Sequence, residues 1–318
     1  MKPRDLILAL AAVVVWGINF VVIEVGLEGV PPLLLSALRF FFAAVPAIFV
    51  LGRPRVAWRY VAGVALALCV TKFGLLFIAM DHGVPAGLAS LVLQCQVIFT
   101  VLFAIVALRE RPRPAQVIGI VVACAGIVLI VLDRALSAPL GALALVIVAG
   151  AAWGVSNTIT RYAKPPDTLR FMIWVSAFAV VPLLVLSLLT EGARTDLDAL
   201  RTIDLSGVGA IAFLAFAATL FGFGVWGYLL RQYDASTVAP FSLLVPVVGM
   251  TAAWILRGEA VGVQQGIAAL LIIGGMACTI IRRRTPEPAR SAVRAGSGEL
   301  VESGVGDGQR RHLPAAGE

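Results

Sequence analysis

Ten apolar runs of about twenty residues follow one another along this chain, each closed by charges, proline or glycine. They fall at 5–25, 33–51, 60–80, 85–107 and 115–132, then at 139–159, 170–189, 207–229, 236–256 and 262–281. A helix rises about 1.5 Å per residue, so each run matches the roughly 30 Å hydrocarbon core of a bilayer. Within lipid every backbone N–H and C=O must be satisfied internally, which leaves helices or closed barrels. Barrel strands would alternate apolar and polar residues over about ten positions, and no such alternation is present. The fold class expected is an all-α polytopic membrane protein of ten transmembrane helices. Composition agrees: 60% of the residues are hydrophobic and 14% charged, against about 25% charged in a soluble domain.

The net charge of +7 does not indicate nucleic acid as a partner, because the bases sit in short clusters between the runs and are not interleaved with aromatics along one face. They serve better as orientation signals. Connections on the side of the N-terminus carry Lys2, Arg4, Arg53, Arg55, Arg59, Arg109, Arg111, Arg113, Arg161, Lys164, Arg170, Arg231, Arg282, Arg283 and Arg284. The opposite connections carry only Arg134, Arg194, Arg201 and Arg257. Positive residues collect in cytoplasmic loops, so both termini are expected in the cytoplasm, which an even number of spans requires. The first run, although preceded by Lys2 and Arg4, lacks a small-residue cleavage site and reads as a retained helix. The segment 285–318, rich in Gly, Pro, Arg, Glu and Ala, is expected to be a disordered cytoplasmic tail.

An internal repeat divides the rest into 1–134 and 135–284. Trp16-Gly17 is matched by Trp153-Gly154, Pro46 by Pro182, Glu110 by Glu259, Gln116 by Gln265 and Gly126 by Gly275. The offset grows from 137 to 149, placing an insertion of about twelve residues in the acidic connection 190–206. Five spans is an odd number, so the two halves are expected to be inverted relative to each other, the arrangement that gives secondary transporters alternating access.

Trp-Gly-Ile-Asn at 16–19, Leu-Arg-Phe at 38–40, Pro-Ala-Gly-Leu-Ala-Ser-Leu-Val-Leu-Gln at 85–94 and the passage from Glu110 through Gly119 and Gly126 resemble the EamA family of the drug/metabolite transporter superfamily. The likeness covers 5–281. More narrowly, Lys72-Phe73-Gly74-Leu75-Leu76-Phe77 followed by Ala79-Met80 and Gly83 to Leu88 resembles the bacterial O-acetylserine/cysteine exporters. The resemblance implies a secondary exporter of small amino-acid metabolites, such as cysteine or O-acetylserine, in the bacterial cytoplasmic (inner) membrane. Other amino acids, purines or drugs are the alternative cargoes.

Charges inside a bilayer cost about 2.5–3.5 kcal/mol each on insertion scales, and three fall within the runs: Glu24, Arg39 and Lys72. All lie in the outer half of the first repeat. A cavity there would offer one anionic and two cationic groups, which suits a zwitterion, with a carboxylate near Lys72. Glu24 would meet the ammonium or carry a coupled proton. A pairing of Arg39 with Glu24 that merely ties the first two helices together is the competing structural reading. Asn19 and Gln94 are further candidates. Gln94 and Gln96 project about 200° apart on a helix, so they are not expected to face one narrow cavity together, and Gln94 is preferred because it lies within the run 85–94 that resembles the family. Trp16 and Trp153, deeper than the interfacial belt, line the cavity or pack the repeat interface. Asn157 and Ser242 could serve an inner vestibule. Glu110 and Glu259 are expected to be structural pairs or caps.

No cofactor or metal is expected. Cys69, Cys95, Cys124 and Cys278 lie singly within apolar runs, and the histidines are His82 and His312 alone, a set without metal-ligand spacing. A P-loop, a nucleophile–base pair and a His/Asp/Glu cluster are all missing, which disfavours an ATP-driven pump or an intramembrane enzyme. A scaffold would leave the duplication unexplained.

Overall fold

The computed structural model describes residues 1–108, 114–134, 139–233 and 238–280. Among these residues there is no β-strand. Seven helices are long and apolar enough to cross a membrane, and three shorter apolar helices accompany them, at Val117–Leu129, Phe241–Arg257 and Val263–Cys278. The expected tail 285–318 and Glu110 lie outside the described residues.

In chain order the helices are α1 (Pro3–Leu27) and α2 (Pro32–Leu51), then α3 (Trp58–Asp81) and α4 (Ala86–Ala107). Next come α5 (Pro114–Arg134), α6 (Leu140–Ala163) and α7 (Thr168–Ser187). They are followed by α8 (Ala193–Thr202), α9 (Leu205–Gln232), α10 (Leu244–Arg257) and α11 (Val263–Ile280). Prolines sit at the first turns of α1 and α2, where the missing N–H removes no helical bond. Asp167 and Asp204 cap α7 and α9 by accepting from the backbone N–H groups of Arg170 and Gly207. The connection 190–206, read above as an insertion in a loop, contains α8. It is held because Ser187 Oγ reaches the buried Asp196, 2.8 Å away, as well as Glu191 at 2.7 Å.

Short connections make successive helices antiparallel, and cross-links define two ends of the bundle. At the near end, Tyr233 after α9 donates from its hydroxyl to Asp5 of α1 at 2.6 Å, and Trp174 of α7 donates to the Gly52 carbonyl after α2. At the far end, Arg257 of α10 grips Glu24 and Glu28 at 3.0 and 2.7 Å. There Glu191 accepts from the first free N–H groups of α2, Leu33 and Leu34, and Glu259 does the same for Ala86 and Gly87 of α4. Carboxylates suit these positions because helix N-termini present unpaired donors and positive partial charge.

Three helices are irregular inside their apolar spans. α3 and α9 each contain a nine-residue π segment, Ala65–Phe73 and Phe213–Phe221, and α4 contains a 3-10 turn at Leu93–Cys95. The first part of α4 packs on α10, where Gly249 leaves room for Ser90; the part after the turn packs on α6, where Gly154 sits against Phe99. The change of partner at the 3-10 turn opens a space between the two pairs. The outer surface is inside-out relative to a soluble protein: Phe49, Val50, Val106, Leu189 and Leu270 are largely exposed, as a lipid-facing surface requires.

Candidate substrate cavity

The space beside the 3-10 turn is a cavity of about 300 Å³. Trp16, Asn19 and Phe20 come from α1, Arg39 from α2, and Leu68, Lys72 and Phe73 from the π segment of α3. α4 supplies Ser90, Leu93, Gln94 and Gln96; α6 supplies Trp153 and Asn157; Phe223, Trp226, Ser242 and Val245 complete the wall. Asn157 and Trp226 lie within the last two turns of α6 and α9 at the near end, and Ser242 lies just ahead of α10, so the cavity reaches from mid-bundle toward that end. Beside it, Gly17 packs on Val248 and Gly249 on Ser90.

Six of the seven residues singled out from sequence, Trp16, Asn19, Arg39, Lys72, Gln94 and Trp153, line this one cavity. Glu24 does not. It is bound to Arg257 at the far end, so the expectation of an acidic group in the cavity is corrected, and so is the alternative pairing of Glu24 with Arg39. Glu24 lies eight residues beyond Trp16 on α1, about two helical turns, and Arg257, from a helix more than two hundred residues on, reaches it there. Gln96 also lines the cavity beside Gln94. The 3-10 turn rotates the chain by about 120° per residue instead of 100°, which narrows the angle between the two side chains from about 160° to about 120°, and both reach the cavity. Gln96 Oε1 accepts from Asn157 Nδ2 at 3.1 Å, tying α4 to α6.

The two cations are almost wholly buried, with 2% of Arg39 and 4% of Lys72 exposed. Both face one ring: Lys72 Nζ lies 3.2 Å and Arg39 Cζ 4.2 Å from the centroid of Phe73. Lys72 also lies 4.7 Å from the Trp153 ring. Arg39 Nε donates to Thr219 Oγ1 at 3.0 Å, and that hydroxyl donates in turn to the Leu214 carbonyl within the π segment at 2.8 Å. Arg39 Nη1 and Asn19 Oδ1 are buried without a hydrogen-bond partner among the described residues. An aromatic face is worth about 0.5–2 kcal/mol to a cation, well below the several kcal/mol lost when an ion leaves water. The site therefore has unmet capacity for an anion.

A cluster of aromatic side chains also lines the cavity. Trp16 contacts Trp226 and Phe223 at ring-centroid distances of 5.1 and 5.7 Å. Its indole N–H is fixed on the Ala218 carbonyl in the π segment of α9, at 3.0 Å. Gly222 leaves the seat for that ring, since any side chain there would collide with Trp16 Nε1. Phe223 and Trp226 were not anticipated from sequence. The signal that locates them is Thr219-Leu220-Phe221-Gly222, which echoes Thr71-Lys72-Phe73-Gly74 and ends a π segment in each case.

The model of the EamA-like transporter family matches the sequence twice, over residues 4–132 and 140–281. A protein of Escherichia coli (strain K12) named a probable amino-acid metabolite efflux pump is 38% identical over 303 residues, covering 93% of this chain and all of that one. One of the same name from Salmonella typhimurium is 40% identical, covering 91% and 99%. A solved crystal structure superposes with a TM-score of 0.56 at 22% identity, covering 87% of this chain and 96% of its own, a likeness of fold.

Proposed function

The chain belongs to the EamA-like transporter family, and on that premise we propose that it exports small amino-acid metabolites, cysteine and O-acetylserine among them, through the cavity just described. The observation that carries the reading is the burial of Arg39 and Lys72, without a carboxylate partner among the described residues, in a cavity large enough for an amino acid. The substrate carboxylate sits between these two side chains, and Asn19, Gln94 and the rings of Trp16 and Trp153 hold the remainder. The names of the relatives at 38% and 40% identity support amino-acid metabolites as the cargo class.

The architecture proposed with this function is ten membrane spans in two inverted halves, 1–134 and 135–284, with both termini in the cytoplasm. The paired π segments and the two matches of the family model support the duplication. Export then begins from a state whose cavity opens to the cytoplasm at the near end. A proton-coupled cycle needs a titrating carboxylate, and Glu24, released when Arg257 moves with α10, is the one proposed. A pH dependence of efflux that disappears in Glu24→Gln tests that part separately.

The main test is efflux of cysteine and O-acetylserine from loaded cells, comparing the wild-type chain with Lys72→Ala at matched membrane abundance. Accelerated efflux with the wild type alone is expected. Equal efflux from the two removes Lys72 from the pathway, and acceleration by neither removes the cargo.

A further inference from the structure

Resting on that reading, we infer that the cavity selects for net negative charge, so that N-acylated amino acids are ligands at least as good as the free zwitterions. Among the described residues lining it there are two cationic side chains and no Asp or Glu. A zwitterion brings a carboxylate that the cations can take and an ammonium that finds no opposite charge. Binding it places a third positive group in the same low-dielectric space, where like charges repel most strongly. Acylation removes that charge and leaves the carboxylate.

The aromatic part of the cavity wall fits the acylated form. Trp16 has its N–H engaged by the Ala218 carbonyl, so it turns only carbon toward the ligand, and Trp226 and Phe223 extend that apolar face. An acyl methyl group gains by burial there. A fully buried atom of this region without a partner among the described residues is an acceptor, Asn19 Oδ1. A secondary amide has a single N–H to give it, whereas an ammonium carries three protons and would leave two on neutral groups. The orphaned donor, Arg39 Nη1, lies at the cationic pole and takes a carboxylate oxygen. Donor and acceptor vacancies thus correspond to a carboxylate at one end and an amide N–H at the other.

The test uses the full chain in lipid nanodiscs at pH 6.5, under reductant, with tryptophan fluorescence as the signal because Trp16, Trp153 and Trp226 line the cavity. The probes are cysteine, N-acetylcysteine and cysteinamide, which share one side chain and differ in charge. The expected result is saturable binding of N-acetylcysteine as tight as that of cysteine or tighter, and none of cysteinamide. Lys72→Gln should weaken N-acetylcysteine by about tenfold or more, the loss of a charge-assisted bond. Binding of cysteine without N-acetylcysteine overturns the inference and leaves the amino-acid reading standing. Binding of cysteinamide as tight as cysteine overturns the anionic site itself. If none of the three binds, the amino-acid reading falls, and the inference with it.

Discussion

Thr219 shows how much one hydroxyl can organise. It accepts from Arg39 and donates to the Leu214 carbonyl, so Thr219→Val deprives a buried guanidinium of its acceptor and that carbonyl of one donor. A buried unsatisfied group costs about 1–3 kcal/mol; Thr219→Val is expected to lower the thermal midpoint of the purified protein and to slow efflux, and Thr219→Ser to preserve both. Gly222→Val should unseat the Trp16 ring, read as a red-shifted tryptophan emission and weaker ligand binding. The identities of the cavity residues were legible because a charge or amide inside an apolar run stands out. Their partners were not: Arg39 meets a threonine 180 positions away, and Glu24 finds an arginine from α10, distances that no local pattern encodes.

Among the elements, the apolar runs located the long helices to within a few residues, since length and hydropathy set where a helix crosses lipid. The irregular turns inside them were illegible. Ala65–Phe73 and Phe213–Phe221 have unremarkable helix-forming composition, and what they are packed against distinguishes them: each third helix of a half meets the first-helix tryptophan of the other, Trp16 against Ala218 and Trp153 against Lys72. The caps are similarly non-local. Glu259 was expected to be structural, and it caps α4; Glu191 went unnoticed. Removing an N-terminal cap costs about 0.5–2 kcal/mol, so Glu259→Ala should loosen the far-end closure between α4 and α10. The measurement is labelling by a membrane-impermeant maleimide of a cysteine introduced at Ala260, which should be several-fold faster in the Glu259→Ala background.

For the molecule as a whole, the positive-inside asymmetry predicts that α8 faces the outside. Alkaline phosphatase inserted after Thr195 is expected to be active, and the same enzyme fused ahead of Lys2 inactive; the reverse pattern would invert the proposed direction of export. The contact between the fifth helices carries the duplication into packing. A side chain at Gly126 of α5 would strike Ile272 of α11, and one at Gly275 of α11 would strike Ala123 of α5, so positions equivalent by sequence meet at one crossing. The repeat could be read from Trp, Pro and Gly matches, but the mutual docking of its halves could not, because pairing between segments is a property of the assembled bundle.

The duplication stops at the charges. At the offset of Pro46 to Pro182, Arg39 corresponds to Val175, and at the offset joining the two Thr-x-Phe-Gly sequences Lys72 corresponds to Leu220. A scaffold with two equivalent halves therefore holds a single anchor. On the proposed reading, a passenger is not handed from one pair of cations to a second; it stays moored while the walls open on one side and then the other. Two cargoes must accordingly compete for one berth, and each turnover carries one.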